Sequence, residues 1–236
     1  MHRAVLLQPE TGGNVGFIAR LAENFSIDEI VLVDPQCELD GEAERYAAHA
    51  AHRLDTAEQV GSVDDAVDDL DVLLGTTGIK VDEGNVHRHG IPPRAATANM
   101  PGDADVGVLL GREGTGLSNE ELDRCDTVVT IPTAENYPVM NLSHAAAVLF
   151  YELFQARECD GSTSRTGDGT PSTRKRRAVL ENLFKGLTDR LDWDGTRRER
   201  TVRAFRNVLG RAYVTDRELQ LLLGAFRETR DRIGDT

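Results

Sequence analysis

Three short stretches of this chain concentrate side chains that can bind, orient or polarise a reacting group. Asn14 and Arg20 lie in "TGGNVGFIARL", Arg112 and Glu113 in "LLGREGTGL", and Asn136 and Asn141 in the proline-bounded "IPTAENYPVMNLSHAA". Arginine offers a fixed positive charge and a planar fork of donors suited to phosphate or a developing anion. Glutamate can hold such an arginine in place, and asparagine amides can position a polar group without carrying charge. Each residue also has a plainer reading: Arg20 as an exposed helix arginine, Asn141 as the N-cap of the helix that follows it. Asn14 and Arg20 are separated by about 240° around a helix and do not share a face. Both serve one site only if Asn14 sits in the turn and Arg20 reaches back.

Glycines surround these residues. Gly12, Gly13 and Gly16 stand where a strand turns into a helix, a place where glycine lets backbone N–H groups approach a phosphate. With Asp34 at the end of the next strand they imitate a dinucleotide-binding fingerprint, although the spacing departs from Gly-x-Gly-x-x-Gly. A Rossmann dinucleotide enzyme stays open on that ground. "LLGTTGIK" ends a strand in Gly75, Thr76, Thr77 and Gly78, and Gly111, Gly114 and Gly116 tighten the Arg112–Glu113 loop.

Short apolar runs position these loops. "RAVLLQ", "EIVLVD", "DVLLGTT", "GVLLG" and "TVVTIP" read as strands covered on both faces, which predicts an α/β fold with a mostly parallel sheet. In such a sheet ligands bind beyond the carboxyl ends of the strands, where all four loops lie. Helices are expected over 13–25, with Val15, Ile18, Ala19, Ala22 and Phe25 on one face, in pieces over 41–70, and over 141–156, with Leu142, Ala145, Ala146, Leu149 and Leu153 inward. Ser118 with Glu121, Thr196 with Glu199 and Thr215 with Glu218 have capping-box spacing. The α/β part is assigned to residues 1–156, a Gly/Ser/Thr/Asp-rich linker to 157–173 and a small helical domain to 174–236. Trp193, in a turn of that domain, reads as a packing residue or a platform for a base.

Composition narrows the setting. No run of about 18 apolar residues is present, and "MHRAVLLQPE" lacks the apolar stretch of a signal peptide, so no membrane partner and a cytoplasmic location are expected. Cys37, Cys125 and Cys159 include no CxxC pair, which argues against a disulfide framework or a structural zinc. The net charge is −13, and only three of 27 basic residues are lysine. An acidic, lysine-poor surface suits a salt-rich, halophilic cytoplasm. The charge is uneven: residues 1–169 carry 11 Lys/Arg against 30 Asp/Glu, residues 170–236 carry 16 against 10. A basic tail on an acidic body predicts a nucleic-acid partner docking on the tail.

In order along the chain, Asn-x-Gly-x-x-x-Arg, Gly-Arg-Glu-x-x-Gly-Leu and Ile-Pro followed by Asn-Leu-Ser resemble the three motifs of the SPOUT RNA methyltransferases. The branch is the TrmH/TrmJ-like one that methylates ribose 2′-hydroxyls, and "GREGTGLSNEEL" with the helical tail resembles its tRNA-modifying members. The resemblance implies a SPOUT α/β-knot fold with a C-terminal trefoil knot closed by residues 131–143, a homodimer, and S-adenosylmethionine as methyl donor without a metal. Thr76, Thr77, Gly78, Gly111, Ile131, Pro138, Val139 and Met140 would line the cofactor site. Arg20 would contact the acceptor hydroxyl and a phosphate, first as a positioning and electrostatic group and also helping to remove the hydroxyl proton, in its own subunit or across the dimer. Asn14 would orient Arg20 or the ribose, Glu113 would pair with an arginine, and Asn141 would hold the acceptor or the loop. Val139-Met140 replaces a serine-leucine pair common in the family, so any serine role is absent or passes to Ser143. Arg174, Lys175, Arg176 and Arg177 would grip tRNA, with cytidine 32 of the anticodon loop as the implied target. Ribosomal RNA as substrate, or a non-catalytic RNA-binding module with a vestigial cofactor site, are the alternatives.

Overall fold

The computed structural model describes residues 1–78, 90–98, 100–159 and 172–234. Among these, six strands form one sheet: β1 (His2–Leu7), β2 (Glu29–Val33), β3 (Glu58–Val60), β4 (Val72–Thr76), β5 (Val106–Leu110) and β6 (Thr127–Val129). Their order is β3-β2-β1-β5-β4-β6, and every adjacent pair is parallel. The five expected strands are present. The short edge strand β3 adds a sixth that its polar sequence Glu-Gln-Val did not announce.

Alternate strand residues face opposite sides. Ala4, Leu6, Leu32, Leu74, Val108 and Leu110 pack on one face with Val15, Ile18 and Ala19 of α1 (Gly12–Asn24) and Ala146, Leu149 and Phe150 of α7 (Leu142–Cys159). Val5, Leu7, Leu73 and Leu109 pack on the other with α4 (Val63–Val67) and α6 (Asn119–Leu122). Between β2 and β3 run α2 (Gly41–Ala47), a 3-10 turn (Ala48–Ala50) and α3 (His52–Asp55), and α5 (Pro93–Thr97) precedes β5.

The glycines of the first loop have a packing role. A Cβ on Gly16 would stand 2.2 Å from the Ala43 carbonyl oxygen, and one on Gly12 3.0 Å from that of Glu38. They let α1 press against α2 and the segment before it, which removes the dinucleotide reading of Gly12, Gly13 and Gly16. Asp34 is also engaged, accepting from the Gln8 amide at 2.6 Å.

The tail folds as α8 (Arg174–Thr188), α9 (Gly195–Ala212) and α10 (Asp216–Gly234) around Leu180, Leu209, Val214, Leu219 and Leu223. Of the expected linker 157–173, residues 157–159 end α7, Ser172 and Thr173 precede α8, and 160–171 lie outside the described residues. The capping boxes at Ser118/Glu121 and Thr215/Glu218 form. The one expected at Thr196/Glu199 does not: the helix is capped two residues earlier, where Asp194 accepts from the Arg197 N–H at 2.9 Å.

Candidate active site

The loops after β4, β5 and β6 converge on a cavity of about 210 Å³. All eight residues expected at a cofactor site line it: Thr76, Thr77, Gly78, Gly111, Ile131, Pro138, Val139 and Met140. Local chemistry explains the shape. A Cβ on Gly111 would lie 2.5 Å from the Gly116 carbonyl carbon, so only glycine lets the chain fold back there, and Gly116 itself has φ +68°. Arg112 fixes the loop from behind, donating to Gln8 at 2.5 Å and to both Glu121 oxygens at 2.9 and 3.1 Å. In the proline-bounded loop the Thr133 hydroxyl donates to the Pro138 carbonyl at 3.0 Å. Leu142, Ala145 and Leu149 close the floor. Their i, i+3, i+7 spacing fits a core stripe; Leu142 and Leu149 also pack against the core, while Ala145 lines the cavity. Thr133 was not anticipated, because its role rests on a contact with a carbonyl five residues on.

A second concavity, a groove of about 470 Å³, opens between α1 and α7 and is lined by Asn14, Phe17, Arg20, Asn141, Ser143 and His144 among others. It gathers the two α1 residues judged to lie on different faces. Measured the short way their separation is about 120°, and Phe17 bridges the interval, so one broad groove spans both. Arg20 is exposed and makes no hydrogen bond or ion pair among the described residues.

Glu113 joins the two concavities. It lines the cavity and accepts from the Asn14 amide at 3.0 Å, the Thr11 hydroxyl at 3.1 Å, and the Glu10 and Thr11 N–H groups at 2.9 and 3.2 Å. The expected arginine partner is replaced by these neutral donors, and the carboxylate sits beside the start of α1 where a phosphate was considered. Burial pushes Glu113 up, but the Asn14, Glu10 and Thr11 hydrogen bonds outweigh it and hold the carboxyl below its usual range. It is ionised at neutral pH and fixes Asn14, which in turn is tied to Glu113 rather than to Arg20.

Asn141 is the N-cap of α7, its side-chain oxygen accepting from the Ser143 N–H at 2.9 Å and hydroxyl at 2.7 Å. The Ser143 hydroxyl is thereby committed to Asn141. Met140 lines the cavity and Asn141 the groove, so the two sites meet at this peptide.

Of the basic run at the tail's start, Arg174 and Arg177 are engaged by the protein itself. Arg177 is buried, donating to Asp126 at 3.0 Å and to the Asp71 and Ser172 carbonyls. Arg174 donates to Asp126 at 3.1 Å and to the Val67 carbonyl at 3.0 Å. Both fasten α8 to the sheet's edge and do not face an RNA backbone. Lys175 pairs with Asp68 at 3.0 Å on the surface, and Arg176 with Asp216. Trp193 carries Arg197 over its ring, 4.5 Å from the centroid. Among the described residues no cluster of three His, Cys, Asp or Glu could hold a metal.

A parallel α/β sheet whose last three strand-end loops share one cavity is the fold of a known group of proteins. The model of the SpoU rRNA methylase family matches residues 1–151, and the chain belongs to that family. TrmJ of Methanocaldococcus jannaschii, described as a tRNA (cytidine-2′-O-)-methyltransferase, is 32% identical over 229 residues, spanning 96% of this chain and 99% of that protein. TrmJ of Sulfolobus acidocaldarius, with the same description, is 36% identical over 157 residues, 66% of each chain. Among solved structures, TrmJ from Z. mobilis ZM4 superposes with a TM-score of 0.71 at 22% identity, over 98% of this chain and 99% of that one. The Streptomyces viridochromogenes methyltransferase AviRb in complex with the cofactor AdoMet gives 0.53 at 23%, over 66% and 57%.

Proposed function

We propose that this chain transfers a methyl group from S-adenosylmethionine to a ribose 2′-hydroxyl of tRNA, with cytidine 32 of the anticodon loop as target. The observation that carries this is the adjacency of the two concavities, joined at Met140–Asn141 and through the Glu113–Asn14 hydrogen bond. The cavity suits the cofactor: apolar Ile131, Leu142 and Leu149 can flank an adenine, while Gly78 and Gly111 leave backbone polar groups accessible. When bound, the cofactor supplies an electrophilic methyl group. The chain's own residues do the rest. Arg20, with no partner among the described residues, holds the acceptor nucleotide's phosphate and steadies negative charge developing on the 2′-oxygen. Asn14, fixed by Glu113, limits the ribose to one orientation, and positioning of this kind supplies much of the acceleration. Asn141 sets the start of α7 and thereby the edge shared by cavity and groove.

The same reading includes a trefoil knot closed by residues 131–143 and work in a salt-rich cytoplasm. It also includes a homodimer through α1 and α7, which the exposure of Phe17 and Tyr151 on those helices supports. The tail's exposed basic residues, Lys175, Arg197 and Arg200 among them, take the RNA contact. Ribosomal RNA as substrate is the second reading, on the strength of the family's description.

The test is methyl transfer from labelled S-adenosylmethionine to unmodified tRNA in concentrated potassium chloride, with nuclease mapping of the product. The expected result is a 2′-O-methyl group in the anticodon loop, with transfer reduced about 10²–10³-fold in Arg20→Ala, the usual cost of losing a charge-stabilising donor. Transfer to ribosomal RNA alone would move the substrate. No transfer to either RNA would refute the activity.

A further inference from the structure

Trp193 stands in the turn between α8 and α9, and its surroundings do not suit a packing residue. The tail's core gathers Leu180, Leu209, Val214, Leu219 and Leu223, with Phe205 and Phe226 packed against it, and Trp193 lies outside that cluster. Its side chain is half-buried, and the ring contact it makes among the described residues is with the exposed Arg197, whose guanidinium lies 4.5 Å from the ring centroid. The turn itself is held. The Trp193 N–H donates to the Leu191 carbonyl at 2.8 Å, and the Trp193 carbonyl accepts from Arg198 at 3.4 Å. Arg198 also pairs with Asp189 at 3.4 Å, and Asp194 caps α9. A large flat ring is thus kept near the surface on a fixed piece of backbone. The segment around it is balanced in charge: between residues 189 and 200, four carboxylates offset four arginines. Such a spot attracts phosphate weakly. A nucleobase, by contrast, stacks on an aromatic face through its own π-face.

We propose that Trp193 and Arg197 form a binding site for one unpaired nucleotide of the tRNA. This rests on the tRNA reading above and gives neither residue a part in the chemistry. In the free protein Arg197 covers one face of the ring, a cation–π contact at an exposed site. Stacking of a base on an aromatic ring is the stronger interaction. A base therefore takes the ring face, and the long, exposed Arg197 side chain turns to the phosphate of the same nucleotide. The base must be unpaired, because only a base splayed out of a helix offers a free face to a side chain. Salt screens the phosphate contacts of exposed arginines, but it leaves stacking in place. The site therefore keeps its hold on RNA in concentrated salt, where phosphate contacts alone weaken.

The chain has one tryptophan, so its fluorescence reports this ring alone. The experiment titrates the full chain with unmodified tRNA and with a fully paired RNA duplex, at about 0.2 and 2 M potassium chloride, a range over which phosphate contacts weaken steeply. Affinities of the unaltered protein, Trp193→Leu and Trp193→Phe are measured alongside by filter binding, and cofactor binding by calorimetry. Transfer RNA should quench the emission, and the duplex should leave it nearly unchanged. Trp193→Leu should bind tRNA about 5–100-fold more weakly at both salt concentrations, the usual cost of losing one stacked base. Trp193→Phe should recover part of that loss, and both variants should bind S-adenosylmethionine as the unaltered protein does. Bound tRNA that leaves the emission unchanged, or Trp193→Leu binding within about twofold of the unaltered protein, would overturn the proposal; methyl transfer by the unaltered protein would then keep the methyltransferase reading. Quenching and weakened binding by Trp193→Leu, without methyl transfer to any RNA by the unaltered protein, would uphold the nucleotide site and overturn the enzyme reading.

Discussion

The replacement of Asp126 by alanine should destabilise the whole chain far more than any surface ion pair of the tail. The Asp126 carboxylate, with 12% of its side chain exposed, accepts from Arg174, from Arg177 and from the Leu73 N–H at 2.8 Å. It therefore ties α8 to the start of β4 through one group. Alanine would leave the Arg177 guanidinium, 6% exposed, without its counter-charge, and the Leu73 N–H without an acceptor. Removing one partner of a buried pair costs about 3–5 kcal/mol. At roughly 2–4 °C per kcal/mol for a chain of this size, a loss of about 4 kcal/mol lowers Tm by about 8–16 °C. Thermal unfolding followed by circular dichroism would measure it, with Lys175→Ala as control. That lysine's pair with Asp68 is exposed on both sides and is worth at most about 1 kcal/mol. The Asp126→Ala deficit should persist between about 0.1 and 1 M potassium chloride, because buried pairs are screened little. A Tm change no larger than that of Lys175→Ala would refute the account of the clamp.

Gly16→Ala should cost about 1–3 kcal/mol, since its Cβ meets the backbone of Ala43 at 2.2 Å and forces α1 away from α2. Gly224→Ala, in the middle of α10 with nothing within 4 Å, should instead raise stability by about 0.5–1 kcal/mol, and urea unfolding of both variants would check the contrast. His2 is lowered from the usual 6.5 to about 4 by burial and by the nearby Arg157 and N-terminal ammonium charges. The unfolded chain therefore takes up this proton at higher pH than the folded one. His2 imposes no penalty above about pH 6.5, and its effect is a progressive loss of stability as the pH falls toward 4. His2→Gln should lose less stability than the unaltered protein between pH 7 and 4.5 in urea titrations, and equal losses would refute this.

The strands and the cavity were legible because they follow from local constraints. Continuous apolar runs such as "VGVLL" have few fates other than a strand covered on both faces, and such strands present their loops at one edge. The motif order then located the eight lining residues. Partners were not legible. That Glu113 would be held by Asn14, Thr11 and the Glu10 N–H follows from a contact about a hundred positions away, set by how β5 lies beside β1. Whether Arg174 and Arg177 meet RNA or a carboxylate depends on α8 packing against the start of β6, 48 and 51 residues earlier in the chain. Charge alone is silent on that choice. The edge strand β3 escaped notice because two exposed polar residues followed by one half-buried valine are too short a run to carry a periodicity; its hydrogen bonds to β2 create it. Sequence fixes which side chains a loop can offer, because type and spacing are local. Only the tertiary structure decides which of them face one another, because that depends on how distant elements pack.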